Sequence, residues 1–568
     1  MKKLLIISAI LLPLCAWAQD LSTEVVVDRT VAVELPEASP IPGVGPALAM
    51  PQRADHGLSV SDYTMTTDFT PSATDAVKWV YTGVPVPPAT RGYAWLGYFP
   101  AYNLGAGVGY KVLNSDIDKL DVSAGFEGAS WHGIGSGDTK PSQRYNTVAL
   151  RGNYRHVFKS GLVLSAKAAY SHDGLRVPYF SPVEDADAPQ SLNHGAFEAG
   201  IRRDGTTNYS AKASFRFFSV GDDIYAGALD SPVPGASALP GASDKLFNFD
   251  GHIGTKTGDN SSIRLGVNFG YLNTEGQQIT DGTPKTIHPD LYKVGLNPAF
   301  DISLGEVDVR LGIHADLCKY IDKTRLHVSP DVAVVWHAAK WGEIYVAAGG
   351  GQKFNTLGDL YDYSVFAPGF STFAPMWTKV DGVAGIRVGS FGGFSADIHA
   401  GYAASNDVPV VGLISWGPVR RVAPTFVARN ITGWHAGAKF TYKYSDILTA
   451  YVEGEVYTHG RNKGYMALRD NARATLGAGV EVKPVDRLSV SASYKLRACR
   501  FAYIETPDFS TTVNLRNVSD LGLGATYRFD DKLAFFVRAE NLLCRRYLIL
   551  PGIQSRRLHG LVGASYSF

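Results

Sequence analysis

Strict alternation over unusually long stretches constrains this chain most. "GEVDVRLGIHADLC" puts Val307, Val309, Leu311, Ile313, Ala315 and Leu317 on one side of an extended strand, and Asp308, Arg310, His314 and Asp316 on the other. "GLVLSAKAAYS" opposes Leu162, Leu164, Ala166, Ala168 and Tyr170 to Ser165, Lys167 and Ser171. "SSIRLGVNFGY", "DILTAYVEGEVY" and "DRLSVSASYKLRAC" repeat the arrangement. A half-solvated soluble sheet also alternates. Length separates the two cases. These runs cover about 10–14 residues, against about 5–6 for soluble strands and about 9–11 for a tilted strand that crosses a bilayer. The pattern predicts strands with one face in hydrocarbon and the other in water.

The connections alternate too. Tight turns at "FKSG", "RRDGT", "TGDN", "LGE", "AKWG", "KYSD", "KPVD" and "FDDK" fall between long links such as 220–244, 352–375 and 406–431. Short turns on one rim and long loops on the other are the mark of an outer-membrane barrel. Counting back from the final "LHGLVGASYSF" places strand starts near 555, 532, 514, 487, 472, 446 and 432, and onward to 118 and 102, with a weaker strand at 91–98. The fold class expected is all-β: a transmembrane antiparallel barrel of about 22 strands, even-numbered as bacterial barrels require. Tyr566 and Phe568 then belong to the periplasmic aromatic girdle, and Phe568 to the terminal assembly signal.

The amino terminus sets the compartment. "MKKLLIISAILLPLCAWAQD" has two lysines, an apolar core and Ala16-Trp17-Ala18, the form of a signal peptide cleaved before Gln19. Leu14 is too bulky for Cys15 to make a good lipid-attachment site. Domains are therefore read as 1–18 signal peptide, 19–90 a short proline-rich periplasmic or lumen-filling segment, and 91–568 the barrel. The 54 basic and 53 acidic residues nearly cancel, so nothing electrostatic points to nucleic acid. Cys318, Cys499 and Cys544 are too few and scattered for a disulfide framework.

Enzyme signals are poor. "HGIGSGD" (His132–Asp138) and "GAGVGYK" (Gly105–Lys111) contain the glycines of a phosphate loop, but neither opens a helix, and Gly105, Gly107 and Gly109 describe one bare face of a strand. The histidines lack metal-ligand spacing, and no nucleophile setting is recognisable. No catalytic residue, metal or cofactor is expected. Polar residues on inward faces include Arg264, Asp308, Arg310, Glu453, Glu455, Lys495, Arg497 and Arg538, of mixed sign, as any hydrated lumen requires. Two external links stand out as candidate ligand or partner surfaces. One gathers Phe354, Tyr361, Tyr363, Phe366, Phe370, Phe373 and Trp377, either as a lid in the barrel mouth or as a platform for a glycan, lipidic ligand or protein. The other carries Trp416, Arg420, Arg421 and Arg429, suited to lipopolysaccharide phosphates.

"AENLLCRRYLILPGIQSRRLHGLVGASYSF" resembles the end of the TonB-dependent receptors. Asn541, Leu542, Leu543, Arg545 and Tyr547 match the stretch after the penultimate strand, Pro551-Gly552 the last external loop, and Tyr566 and Phe568 the final strand. The resemblance implies a 22-stranded outer-membrane barrel. It also implies a plug domain, for which residues 19–90 are too short; "TEVVVDRTV" (Thr23–Val31) looks like a TonB-contacting segment only as any valine-rich strand would. Coupling to TonB is thus not carried over. A barrel so wide must be filled by residues 19–90, by infolded loops or by a partner. Two functions follow: a transport-type receptor or channel for a nutrient in the Gram-negative outer membrane, or a scaffold subunit of an outer-membrane assembly, secretion or uptake complex. Lipid, lipopolysaccharide and other outer-membrane or periplasmic proteins are the partners expected.

Overall fold

The computed structural model describes residues 91–568 apart from 101, 133–141, 177–188, 222–241, 281–282, 288–289, 321–322, 340, 360–373, 417–420, 459–471, 506–509 and 551–552. The "HGIGSGD" glycines fall outside the described residues. No described helix is long and apolar enough to cross a membrane.

The main sheet holds 24 strands. Two of them, Thr283–Ile287 and Ser510–Leu515, only lengthen hairpins at one rim, which leaves 24 − 2 = 22 around the circumference. Neighbours run antiparallel from Gly92–Phe99 to His559–Ser567, and these two then pair with each other, Tyr93 opposite Ser567 and Tyr98 opposite Val562. The sheet has no free edge, as a hydrocarbon-embedded sheet demands. Side chains sort as the alternation predicts. Leu311, Ile313 and Leu317 are 56%, 46% and 47% exposed on the outer wall, while Arg310 and Asp316 on the same strand are each 3% exposed on the inner one.

The seam where the cylinder closes is packed from within. Gly105, Gly107 and Gly109 face inward, and the rings of Trp95 and Tyr93 lie across them; a Cβ on Gly107 would sit 2.2 Å from Trp95 Nε1. Trp95 meets Phe536 edge-on at 6.4 Å, and Leu561, fully buried, fills the notch at Gly97. The glycines of "GAGVGYK" thus make room for aromatic rings. Outside the seam, Phe568 stacks with Tyr110 and Tyr566, both at 6.4 Å, and exchanges backbone hydrogen bonds with Gly92 at 2.8 and 2.9 Å.

Turn chemistry holds the short-turn rim. Gly393, at φ +84°, lets its chain pass Lys443, whose carbonyl oxygen would stand 2.0 Å from any Cβ there. Between Arg528 and Leu533, backbone N–H groups of Leu533 and Lys532 donate to Asp530 and hold its carboxyl below the usual carboxylate range.

One expected connection changes character. The link 406–431, read as a loop, is mostly hairpin: Phe394–Trp416 pairs with Arg421–Tyr444 over almost its whole length. The second strand therefore starts at Arg421 rather than near 432. Val408, Val410, Val411 and Ile414 favour the extended backbone that this pairing needs. The hairpin's outer part leans far enough to pair in parallel with the strand Leu488–Glu505, Leu413 opposite Ile504.

Two substitutions test this packing. Gly107→Val displaces Trp95 and should cost about 1–3 kcal/mol, the usual penalty for overfilling a packed site. Gly152→Ala, where the nearest atom to the new Cβ is 4.0 Å away, should be close to neutral. The temperature at which the barrel shifts its mobility on an SDS gel reads both. Removing Phe568 should lower the fraction of protein assembled in the membrane, measured by the same shift in membrane fractions.

Candidate functional site

The site is the inner wall, and a short segment laid across it. Strand Gly342–Lys353 reaches the long-loop rim, where Gly351 adopts φ +140°. The chain then turns inward. Asp316 accepts from the backbone N–H of Gln352 at 2.9 Å, and Lys293 Nζ donates to the Gln352 carbonyl at 2.7 Å. Phe354 is buried against Leu246, Leu272, Leu291 and Cys318, four inward residues of four neighbouring strands. Gly270 admits the ring, since a Cβ there would lie 2.6 Å from it. Farther on, Asp244 Oδ2 accepts from Leu357 N at 2.5 Å and Gly358 N at 3.4 Å, and Asp359 meets Arg216 at 3.6 Å and Lys353 at 3.9 Å. Residues 352–359 thus run along the interior from the strand Gly342–Lys353 to the strand Thr207–Val220. A cavity of about 240 Å³ lies beside them, lined among others by Arg151, His194, Arg216, Phe218 and Thr356.

Closer to the short-turn rim the wall carries paired charges. Asp301 holds both Arg264 at 2.6 Å and Arg310 at 2.9 Å, and Arg310 also reaches Asp331 at 4.0 Å. His337 lies between Asp308 at 3.0 Å and Glu343 at 3.3 Å. Arg387 bonds Asp397 at 3.1 Å, which also accepts from Tyr345 Oη at 2.9 Å. Glu453 pairs with Lys439 at 3.2 Å, and Glu455 accepts from Tyr457. Lys495 stands opposite Asp520 in register, Arg497 opposite Val518, and Arg538 opposite Leu561. Acid and base alternate from strand to strand, so this wall has no single-sign field.

The carboxy-terminal motif is a structural knot. Asn541, buried and at φ +47°, donates through Nδ2 to the carbonyls of Arg545 at 2.8 Å and Arg556 at 3.0 Å, and its Oδ1 accepts from Arg545 N at 3.1 Å. Asparagine tolerates that backbone region better than most residues. The Arg556 guanidinium donates to Asn103 at 2.8 Å and lies over the rings of Trp131 and Tyr145. His559 and Glu540, both buried, meet at 3.1 Å.

The external aromatic set divides. Phe354 lies inside the barrel, so the platform reading does not apply to it. Trp377 is half-buried, stacked on His327 at 4.3 Å, and donates to Ser329 Oγ at 3.0 Å. Tyr361, Tyr363, Phe366, Phe370, Phe373 and Arg420 lie outside the described residues. Trp416, Arg421 and Arg429 are in the backbone of the tall hairpin, Trp416 opposite Arg421 and Arg429 opposite Val408. Sequence reasoning missed Asp244, Lys293 and Asp301 as organising residues. Only the inward parity of their strands marks them, and parity does not say which distant segment they meet.

No protein family's sequence profile matches the chain, and no curated protein matches it in sequence. Solved structures do match in shape. A variant of the ferric enterobactin receptor PfeA of Pseudomonas aeruginosa aligns with TM-score 0.62 at 14% identity, over 84% of this chain and 81% of that one. The siderophore receptor PirA of Acinetobacter baumannii gives 0.62 at 10%, over 86% and 81%. The FrpB iron transporter of Neisseria meningitidis gives 0.62 at 12%, over 84% and 81%. This barrel has the fold of the TonB-dependent receptors. A closed 22-stranded cylinder with an apolar outer wall is a multi-pass protein of the Gram-negative outer membrane. These three neighbours are named as two receptors and an iron transporter.

Burial predicts which ion pairs matter. Arg310→Ala strips a 3% exposed guanidinium from between two aspartates and should cost about 3 kcal/mol. Arg202→Ala, which removes a partner of Asp204 in a pair 65% and 72% exposed, should leave the unfolding midpoint almost unchanged. Urea titration in detergent, followed by tryptophan fluorescence, compares the two.

Proposed function

We propose that this protein is a transport-type outer-membrane receptor whose lumen is closed at rest by residues 19–90 together with inward-folded loops. The observation that carries the reading is the segment 352–359, which lies inside the barrel on buried polar contacts rather than over its mouth. A barrel used only as a wall has no need to fold chain into its own interior. The mixed charges of the inner wall suit passage of a polar solute, because neither sign holds it along the whole path. Iron chelates are the substrate class to test first, on the strength of a fold shared with receptors named for ferric siderophores. The outer parts of the tall hairpin, with Trp416, Arg420, Arg421 and Arg429, are assigned to lipopolysaccharide phosphates, and the aromatic stretch 361–373 to the external ligand.

The test is purification in mild detergent followed by planar-bilayer recording. The protein should come out without stoichiometric partners and conduct far less than an open 22-stranded pore. Deleting residues 19–90 should raise the conductance severalfold. Partner proteins at one-to-one stoichiometry would replace this reading with a scaffold subunit. A wide-pore conductance in the intact protein would refute closure.

A further inference from the structure

Segment 352–359 is fastened at both ends by carboxylates that are almost wholly buried. At its start Asp316, 3% exposed, receives the Gln352 N–H while Lys293 takes the Gln352 carbonyl. At its end Asp244, also 3% exposed, receives two successive backbone N–H groups, those of Leu357 and Gly358. Between them Phe354 and Leu357, at 5% and 3% exposure, press into the wall. The two anchors differ in kind. Gln352 is still paired in the sheet, opposite Trp377, so the first anchor is part of the barrel itself. At the second, Leu357 and Gly358 belong to no strand, and the side chain of Asp244 ties them to the sheet. Asp244 opens the inward row of the strand Ser243–Gly258, and its grip on Leu357 and Gly358 joins positions 113 and 114 residues apart in sequence.

We propose that residues 354–359 form a strap hinged at the strand end Gln352-Lys353 and latched at Asp244, which narrows the lumen when engaged and swings free when the latch opens. The inference rests on the transport reading above and names the regulation of that site. Two successive backbone N–H groups converging on one buried carboxyl oxygen make a geometrically specific latch. It is also a replaceable one, since any solute offering N–H or cationic donors competes for the same oxygen atoms. Arg216 is placed to assist: it holds Asp359, one residue past the latched pair, at 3.6 Å. The cavity of about 240 Å³ beside Asp244, Thr356 and Asp359 gives such a solute access to the latch. Opening exposes Phe354 and Leu357 to water, and that cost returns the strap to the wall once the solute leaves.

Thiol labelling in whole outer membranes tests the strap without relying on transport. Cys318→Ala, Cys499→Ser and Cys544→Ser remove the three thiols of the described residues, Cys318 included because Phe354 covers it. In that background Leu357→Cys should react slowly with a membrane-impermeant maleimide. Adding Asp244→Ala should speed the reaction about tenfold, the population shift expected from losing two hydrogen bonds to a buried carboxyl group. Phe354→Ala, which loosens the strap without touching the latch, should act in the same direction. The SDS mobility shift confirms that each variant is assembled. Equal labelling with and without Asp244 in assembled protein would overturn the latch. Fast labelling of Leu357→Cys alone would overturn the strap. Either result leaves the transport reading to its own conductance and pull-down test. Success here with stoichiometric partners there would keep the strap and discard that reading.

Discussion

Backbone hydrogen bonding in hydrocarbon governs this structure. An unpaired N–H or C=O at bilayer depth costs several kcal/mol, so every strand must have a neighbour on both sides. The chain meets the demand by pairing Gly92–Phe99 with His559–Ser567. Much of the sequence serves that junction. Three alternate glycines flatten one strand, two aromatic rings from its neighbour lie across the space, and Leu561 and Phe536 pack behind them. With the circumference sealed, the outer face need only be apolar and the inner face only satisfied.

Satisfaction inside comes largely from charge pairing. Asp301 sits between two arginines, and His337 between two acids, each contact joining adjacent strands. Such pairs contribute little net stability relative to apolar replacements, yet removing one member is costly. They therefore suit a wall that must stay polar and stay rigid. The strap uses the same chemistry differently. Its carboxylates meet backbone N–H groups of a connecting segment, so they fix a position that the sheet alone would leave open.

The cylinder was largely legible in the sequence, and its furnishings were not. Strands expected near 118, 207, 376 and 472 begin at Asp118, Thr207, Met376 and Ala472. Alternation is local, and a strand that has hydrocarbon on one side must show it along its own length. Past the membrane that pressure ends. The stretch 406–431 carried the β-branched residues of a hairpin, but also the proline and glycine of a loop, and pairing across the hairpin decided the matter. The strap was invisible for another reason. Asp244 is one inward polar residue among many, and its meeting with Leu357 depends on how the wall curves. Phe354 looked like an exposed aromatic because its burial partners come from four separate strands.

The seam also governs how such a molecule can be made. The two strands that complete the cylinder are separated by nearly the whole of its sequence, so the contact that ends edge exposure has the longest loop to close. Until it forms, two long rows of unpaired backbone groups are open to any other strand, including one from a second copy. Biogenesis must therefore keep these margins occupied from synthesis to insertion. A cell that exports this chain faster than its chaperones can shield them should accumulate aggregate in the periplasm rather than half-built barrels in the membrane.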